Sequence, residues 1–286
     1  MVHRKQYKIN TTEFDCLEVS GPQIQYIICS MPRCGSTYLS RCLNATGLMG
    51  VAHEYLTKVH FDAFQTRFGT QSVQDTLERI RRVRTTPNGV FGLKVHYHVF
   101  QNKAPHLDIV NTLGDASLIV LERKDVLGQA VSWAMSRQSA FWGGGNHPKN
   151  EVLKYDEELI ATCLNRILCG IAGWRRYASF AKNKNKDLYV RYLTYEDFIG
   201  REVEIVHELA QGMSINWSPE VESKLQAVIY HDNYTPSPLK QEWVERYSAS
   251  CDFDELMKWN LPANIIPGRD WIRSLKSSLF RNLKLV

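Results

Sequence analysis

Gln25-Tyr26-Ile27-Ile28-Cys29-Ser30 runs directly into Met31-Pro32-Arg33-Cys34-Gly35-Ser36-Thr37, and the change of pattern at Ser30 decides the fold class. The first part is mostly apolar, carries β-branched side chains and follows Gly21-Pro22, which is how a strand buried on both faces reads. Beyond Gly35 the spacing turns helical: Leu39, Leu43 and Thr46 fall at i, i+4 and i+7, and Gly47 stops the run. Similar units follow. Val90 to Val99 alternates Leu93, Val95, Tyr97 and Val99 with Lys94, His96 and His98, which predicts one strand with Lys94, His96 and His98 on a shared face. Ser117 to Arg123 reads as a third strand leading into a helix over Val126 to Gln138, and Asp187 to Tyr192 as a fourth, with a helix near Val203 to Ala210. Strands separated by helical segments predict an α/β protein with a mainly parallel central sheet.

The 286 residues are 44% hydrophobic and 23% charged, which excludes a disordered or collagen-like chain. No linker or repeat divides the chain, so it reads as one domain over residues 1–286. The net charge of +5 suits a small anionic ligand better than nucleic acid. The local cluster Arg79, Arg81, Arg82 and Arg84 reads as a solvated helix face. Seven cysteines without metal-ligand or disulfide-framework spacing, several in apolar stretches, suggest a reducing interior and no metal site. Neither a secretory leader nor an apolar run of membrane-spanning length is visible, so a cytoplasmic protein is expected. Ala140 to Pro148, with three consecutive glycines, reads as a loop that is either a lid or a plain connection.

The segment after the first strand carries chemistry. A loop entering a helix N-terminus presents backbone N–H groups and the positive end of the helix dipole, which together hold an anion. Gly35 permits close approach, Ser36 and Thr37 add hydroxyl donors, and Arg33 adds a planar cation. An ordinary capped helix with a surface arginine is the competing reading. No lysine follows Gly35, so this is not the G-x-x-x-x-G-K-[ST] loop that pairs lysine with magnesium. An arginine-based loop instead suits a transferred group less charged than a γ-phosphate, such as sulfuryl.

Pro32-Arg33-Cys34-Gly35-Ser36-Thr37-Tyr38-Leu39 resembles the 5′-phosphosulfate loop of sulfotransferases, which use 3′-phosphoadenosine 5′-phosphosulfate (PAPS) and release 3′,5′-ADP (PAP). The longer run to Glu54-Tyr55-Leu56 is similar to the Stf0 branch, the trehalose 2-sulfotransferase type. Val90 to Lys94, Leu121 to Trp133, Tyr195-Glu196-Asp197 and Lys240 to Tyr247 continue the likeness in order, over about residues 24–248. Residues 251–286 lie outside it, with no role assigned. The resemblance implies a P-loop-like three-layer α/β/α fold. It implies donor contacts from Arg33, Cys34, Gly35, Ser36, Thr37, Arg123, Ser132, Tyr195 and Lys240, with Arg123 and Ser132 on the 3′-phosphate, and it implies no metal. Arg123 could instead pair with Glu122 or Asp125.

Sulfuryl transfer needs charge stabilisation on the leaving phosphate oxygen and a base for the acceptor's proton. Arg33 and the loop amides would supply the first, and Lys94, on the strand face of His96, could reach the sulfuryl group. Glu54 matches the glutamate base of the Stf0 type, whereas His96 in Lys94-Val95-His96 resembles the histidine base of eukaryotic cytosolic sulfotransferases. Both stay open. The acceptor is expected to be a small polar molecule, a sugar or secondary metabolite sulfated on oxygen or nitrogen, with no membrane or nucleic-acid partner and a homodimer possible. Trp133, Phe141, Trp142, Trp174 and Tyr177 could stack on such an acceptor, but aromatics at helical spacing more often read as core. A kinase using ATP and magnesium, and a non-catalytic nucleotide-binding module, are the alternatives.

Overall fold

The computed structural model describes residues 11–16, 21–103, 113–139, 153–229 and 237–250. The glycine-rich segment 140–148, with Phe141 and Trp142, and the tail 251–286 lie outside them. The described chain forms β1 (Ile24–Ser30), α1 (Ser36–Ala45), α2 (Lys58–Phe68), α3 (Val73–Arg84), β2 (Val90–His96) and α4 (Tyr97–Lys103). Next come β3 (Ser117–Glu122), α5 (Val126–Ser139), α6 (Glu157–Lys184), β4 (Val190–Thr194), α7 (Tyr195–Phe198), α8 (Glu202–Gly212), α9 (Pro219–Gln226) and α10 (Pro238–Ser250). The chain divides into two compact units, one of Met1–Glu122 with Gly170–His231 and one of Arg123–Cys169 with Asp232–Val286.

The first unit holds a four-stranded sheet in the order β2-β1-β3-β4, with every pairing parallel. Side-chain alternation divides its core in two. Ile27 and Cys29 of β1, Leu93 and Val95 of β2, and Leu118 and Val120 of β3 point to one face, where they meet α2, α3 and the Trp174 end of α6. Tyr26 and Ile28, Ile119 and Leu121, and Leu193 point to the other, against α1 and α8. Helices on both faces make the expected three-layer α/β/α arrangement. Because β2 and β3 flank β1 on opposite sides, the chain reverses direction across the sheet at β1. Ligands of open α/β sheets bind beyond the carboxyl ends of the strands at such a point. Ser30 is the last residue of β1.

In the second unit Trp243 and Tyr247 of α10 are buried, as is Trp133 of α5. Tyr155 meets Trp243 edge to face with centroids 5.7 Å apart, and the Arg246 guanidinium lies 3.8 Å from the Tyr155 ring centre.

Three expectations need correction. The alternating run from Val90 does not stay extended: β2 stops at His96, and Tyr97 to Lys103 is helical, which takes His98 off the strand face. Tyr97 and Phe100, at i and i+3, both meet the Trp174 ring, at 5.3 and 4.9 Å, and that shared contact favours the helix. The fourth strand begins later than expected, at Val190, because Asn185 to Leu188 closes a turn through Leu188 N–H to Asn185 O. Finally, Arg79 and Arg82 are exposed as expected, but Arg84 is fully buried. Its Nη2 donates to Thr11 O at 2.8 Å and lies 3.2 Å from Asp15 Oδ1, and Asp15 also pairs with Arg67. This knot anchors residues 11–16 on α2 and α3. Removing one partner of a buried pair strands the other charge, so Asp15→Ala should cost about 2 kcal/mol or more. Chemical denaturation should show it as a lower midpoint with an unchanged slope.

Candidate functional site

Gly35 is the N-cap of α1, with φ +89°, so this helix starts without a side-chain cap. Tyr38 and Leu39 donate to Gly35 O at 2.9 and 3.1 Å, which starts the helix immediately after the glycine. Arg33 is also left-handed, at φ +66°. A non-glycine residue there carries strain that clusters at functional loops. A Cβ on Gly35 would fall inside the ring contact of Tyr195, which lies against the loop from the start of α7. Cys34 is fully buried and burial pushes its thiol up, so it packs as a small apolar group.

The segment after α1 brings in Glu54 by close backbone approach. Gly50, at φ +70°, lies where a Cβ would collide with the backbone of Gly92, and Gly92 itself leaves room for Tyr26 and Ala52. Tyr26 Oη donates to Met49 O at 2.6 Å, and Asn44 Oδ1 accepts from Ala52 N–H at 2.7 Å. Residue 53 can then bridge to Leu93 alongside β2, with Lys94 N–H donating to His53 O at 3.0 Å. Burial, followed by the Lys94 and Arg84 charges, pushes the His53 imidazole down to about 3, so it is neutral.

The next residue therefore faces the side chain of Lys94. Lys94 Nζ lies 2.8 Å from Glu54 Oε1 and donates to Thr37 Oγ1 of α1 at 3.1 Å. His96 Nε2 lies 3.4 Å from the same Oε1. Its Nδ1 lies 3.0 Å from Ser30 Oγ, and the His98 ring stacks on it at 6.0 Å. Trp174 Nε1–H donates to Ser30 O at 3.0 Å, which ties the end of β1 to α6. Lys94 is only 3% exposed. Burial alone would raise the Glu54 carboxyl; the Lys94 charge and the hydrogen bonds from His96 and Lys94 outweigh it and hold the carboxyl well below its usual range. The site is thus a carboxylate kept ionised, a buried ammonium and an imidazole, beside the uncapped N-terminus of a helix.

Of the residues expected from the sequence, the structure brings Thr37, Glu54, Lys94 and His96 into one chain of contacts and packs Tyr195 on Gly35. Arg123, Ser132 and Lys240 belong to the second unit. Ser132 lies buried on α5, and Lys240 is buried near the start of α10, its N–H donating to Ser237 Oγ at 3.3 Å. Of the two acidic neighbours of Arg123, Glu122 is held bidentate by Arg175 at 2.7 and 2.6 Å, and Asp125 Oδ1 accepts from Gly128 N–H at 2.8 Å. Trp133 and Trp174 are buried, as core residues are. Ser30 is the contributor that sequence reasoning missed; its signal was a polar residue closing an otherwise apolar buried strand. No group of three or more His, Cys, Asp or Glu among the described residues is placed to hold a metal. No helix among them is long and apolar enough to cross a membrane.

The sequence profile of the family described as Stf0 sulphotransferase matches residues 25–250. The trehalose 2-sulfotransferase of Mycolicibacterium smegmatis is 26% identical over 274 residues, covering 81% of this chain and 97% of that protein. The protein of the same name from Mycobacterium tuberculosis is 23% identical over 266 residues, covering 79% and 95%. Among solved structures, sulfotransferase STF9 from Mycobacterium avium superposes with a TM-score of 0.48 at 13% identity, covering 88% of this chain and 79% of that one.

Two predictions follow from the geometry. Gly35→Ala places a side chain at positive φ and against Tyr195, and should cost about 1–2 kcal/mol for the backbone alone. Chemical denaturation should show the loss as a lower midpoint. The depressed Glu54 carboxyl gives stability that is full above the ordinary carboxylate value and lost as pH falls through the folded value. The stability advantage of wild type over Glu54→Gln should therefore be largest near neutrality and shrink below about pH 4, as read from unfolding curves at stepped pH.

Proposed function

This chain belongs to the Stf0 sulfotransferase family, a family of sulfuryl-transfer enzymes, and we propose that it moves the sulfuryl group of PAPS, without a metal, to a hydroxyl of a small sugar. The observation that carries the reading is the Lys94–Glu54 pair, 2.8 Å apart, beside the N-terminus of α1.

The residues present fit the donor. The start of α1 offers N–H groups and dipole to an anion, and Gly35 leaves the backbone open to close approach. Thr37 and Arg33 add a hydroxyl and a guanidinium to the same cradle. PAPS supplies an activated sulfuryl group whose departure leaves charge on a phosphate oxygen. Lys94, held at Thr37, brings a cation to the neighbourhood of that charge without reorganisation. Glu54, ionised across the physiological range, accepts the proton of the attacking hydroxyl. Arg123 and Ser132, carried at the end of β3 and on α5, are the residues assigned to the 3′-phosphate, with a guanidinium's forked donors matching phosphate. Tyr195, packed on Gly35, adds its ring to the donor loop. The sugar acceptor is supported by the two relatives named trehalose 2-sulfotransferase.

A thermal-shift titration with PAP and with 5′-ADP, each with and without magnesium, tests the donor. A ligand at a hundred times its Kd stabilises by about 2.7 kcal/mol, and each kcal/mol moves Tm by about 2–4 °C for a protein near this size. The expected result is a metal-independent shift with PAP and little with 5′-ADP. A shift only with 5′-ADP plus magnesium would replace this reading with an ATP-using kinase.

A further inference from the structure

Two side chains approach the same oxygen of Glu54. Lys94 Nζ, at 2.8 Å, and His96 Nε2, at 3.4 Å, both address Oε1. Two donors on one oxygen fix the plane and direction of a carboxylate and leave the lone pairs of the other oxygen for a reacting group. The lysine comes from the middle of the β2 end and the histidine from its last residue, so both are set by one strand.

What His96 does depends on which nitrogen carries its proton, and Ser30 bears on that. The Ser30 side chain is fully buried at the end of β1, with its Oγ 3.0 Å from His96 Nδ1 and 3.3 Å from Val95 O. A hydroxyl has one proton to give. Given to the nearer Nδ1, it leaves that nitrogen an acceptor and puts the imidazole proton on Nε2, where it points at Glu54 Oε1. The Trp174 indole, bonded to Ser30 O, and the register of β1 against β2, which pairs Ser30 with His96, hold the serine in place. Among the described residues, Glu54 after α1 and His98 on α4 face the imidazole, and Lys94 of β2 shares Glu54 Oε1 with it; α6 presents Trp174 to Ser30.

We propose that Ser30 and His96 are positioning residues: Ser30 O–H donates to Nδ1, His96 Nε2–H and Lys94 hold Glu54 Oε1, and Glu54 Oε2 is the atom that takes the acceptor's proton. The inference rests on the reading of Glu54 as the base. In the step, the acceptor O–H bond breaks and its proton goes to Oε2 as the acceptor oxygen bonds to sulfur. The sulfur–oxygen bond to the donor phosphate breaks, and its electron pair stays on the phosphate oxygen. His96 loses and gains no proton.

The test uses the full chain. NMR of nitrogen-labelled histidine at alkaline pH, with the His96 signal identified by its loss in His96→Asn, should show the Nε2–H tautomer; an Nδ1–H tautomer overturns the proposal. Turnover is followed with PAPS and trehalose in variants that still bind PAP. His96→Gln keeps an N–H near the place of Nε2 and should stay within about tenfold of wild type in kcat, whereas His96→Ala should lose about a hundredfold. Ser30→Ala should lower kcat and leave the KM for PAPS unchanged. Equal loss in His96→Gln and His96→Ala overturns the proposal, because His96 would then take the proton itself. Glu54→Gln separates the two claims. If it keeps full turnover, the reading of Glu54 as base fails. If it is inactive while His96→Ala and Ser30→Ala match wild type, the base stands and the positioning role alone is wrong. If wild type does not sulfate trehalose, the acceptor assignment fails and the tautomer decides the positioning claim.

Discussion

A lysine withdrawn from water is costly unless a counter-charge meets it, and Lys94 meets Glu54 at 2.8 Å while giving a second hydrogen bond to Thr37. Much of the local architecture serves that contact. The glycines at 50 and 92 let two backbone segments approach closely enough for residue 53 to bridge to β2, and Asn44 and Tyr26 tie down the connection between them. Without the bridge, Glu54 would have no fixed place beside the lysine. The pair therefore reports on how α1, β2 and the segment between them fit together, and it places an ionised carboxylate and a buried cation beside the N-terminus of a helix.

The same arrangement reconciles two readings that the sequence left apart. Glu54 and His96 looked like competing bases because each matches a different sulfotransferase pattern. In the structure they are neighbours, with the His96 imidazole against the Glu54 carboxylate and Ser30 behind it. A carboxylate beside an ammonium and an imidazole stays ionised, which is the state a base needs before reaction.

The strand, loop and helix from Gln25 to Ala45 were legible because local pattern and tertiary environment agree there: a buried strand, a left-handed glycine and an apolar helical face. The shared strand face of Lys94 and His96 was legible from alternation, since both keep the same parity in β2. The end of β2 was not, because its limit depends on Trp174, a residue far along the chain that Tyr97 and Phe100 meet only as successive helix turns. Arg84 was misread for a similar reason. Its neighbours Arg79 and Arg82 are exposed, and nothing local reveals that Asp15 and Thr11 come back to cover it. Ser30 escaped notice because its role lies in a register, the pairing of the ends of β1 and β2, rather than in any motif.

Whether the Lys94–Glu54 centre carries out sulfuryl transfer is decided by following radiolabelled sulfur from PAPS into trehalose with wild type and Lys94→Met side by side. Both proteins must first be shown to bind PAP. If that centre carries out the transfer, label should enter the sugar with wild type, and the rate should fall about a hundredfold or more with Lys94→Met, the scale expected when a preorganised charge at the leaving oxygen is removed. Transfer at the wild-type rate by Lys94→Met would contradict that role.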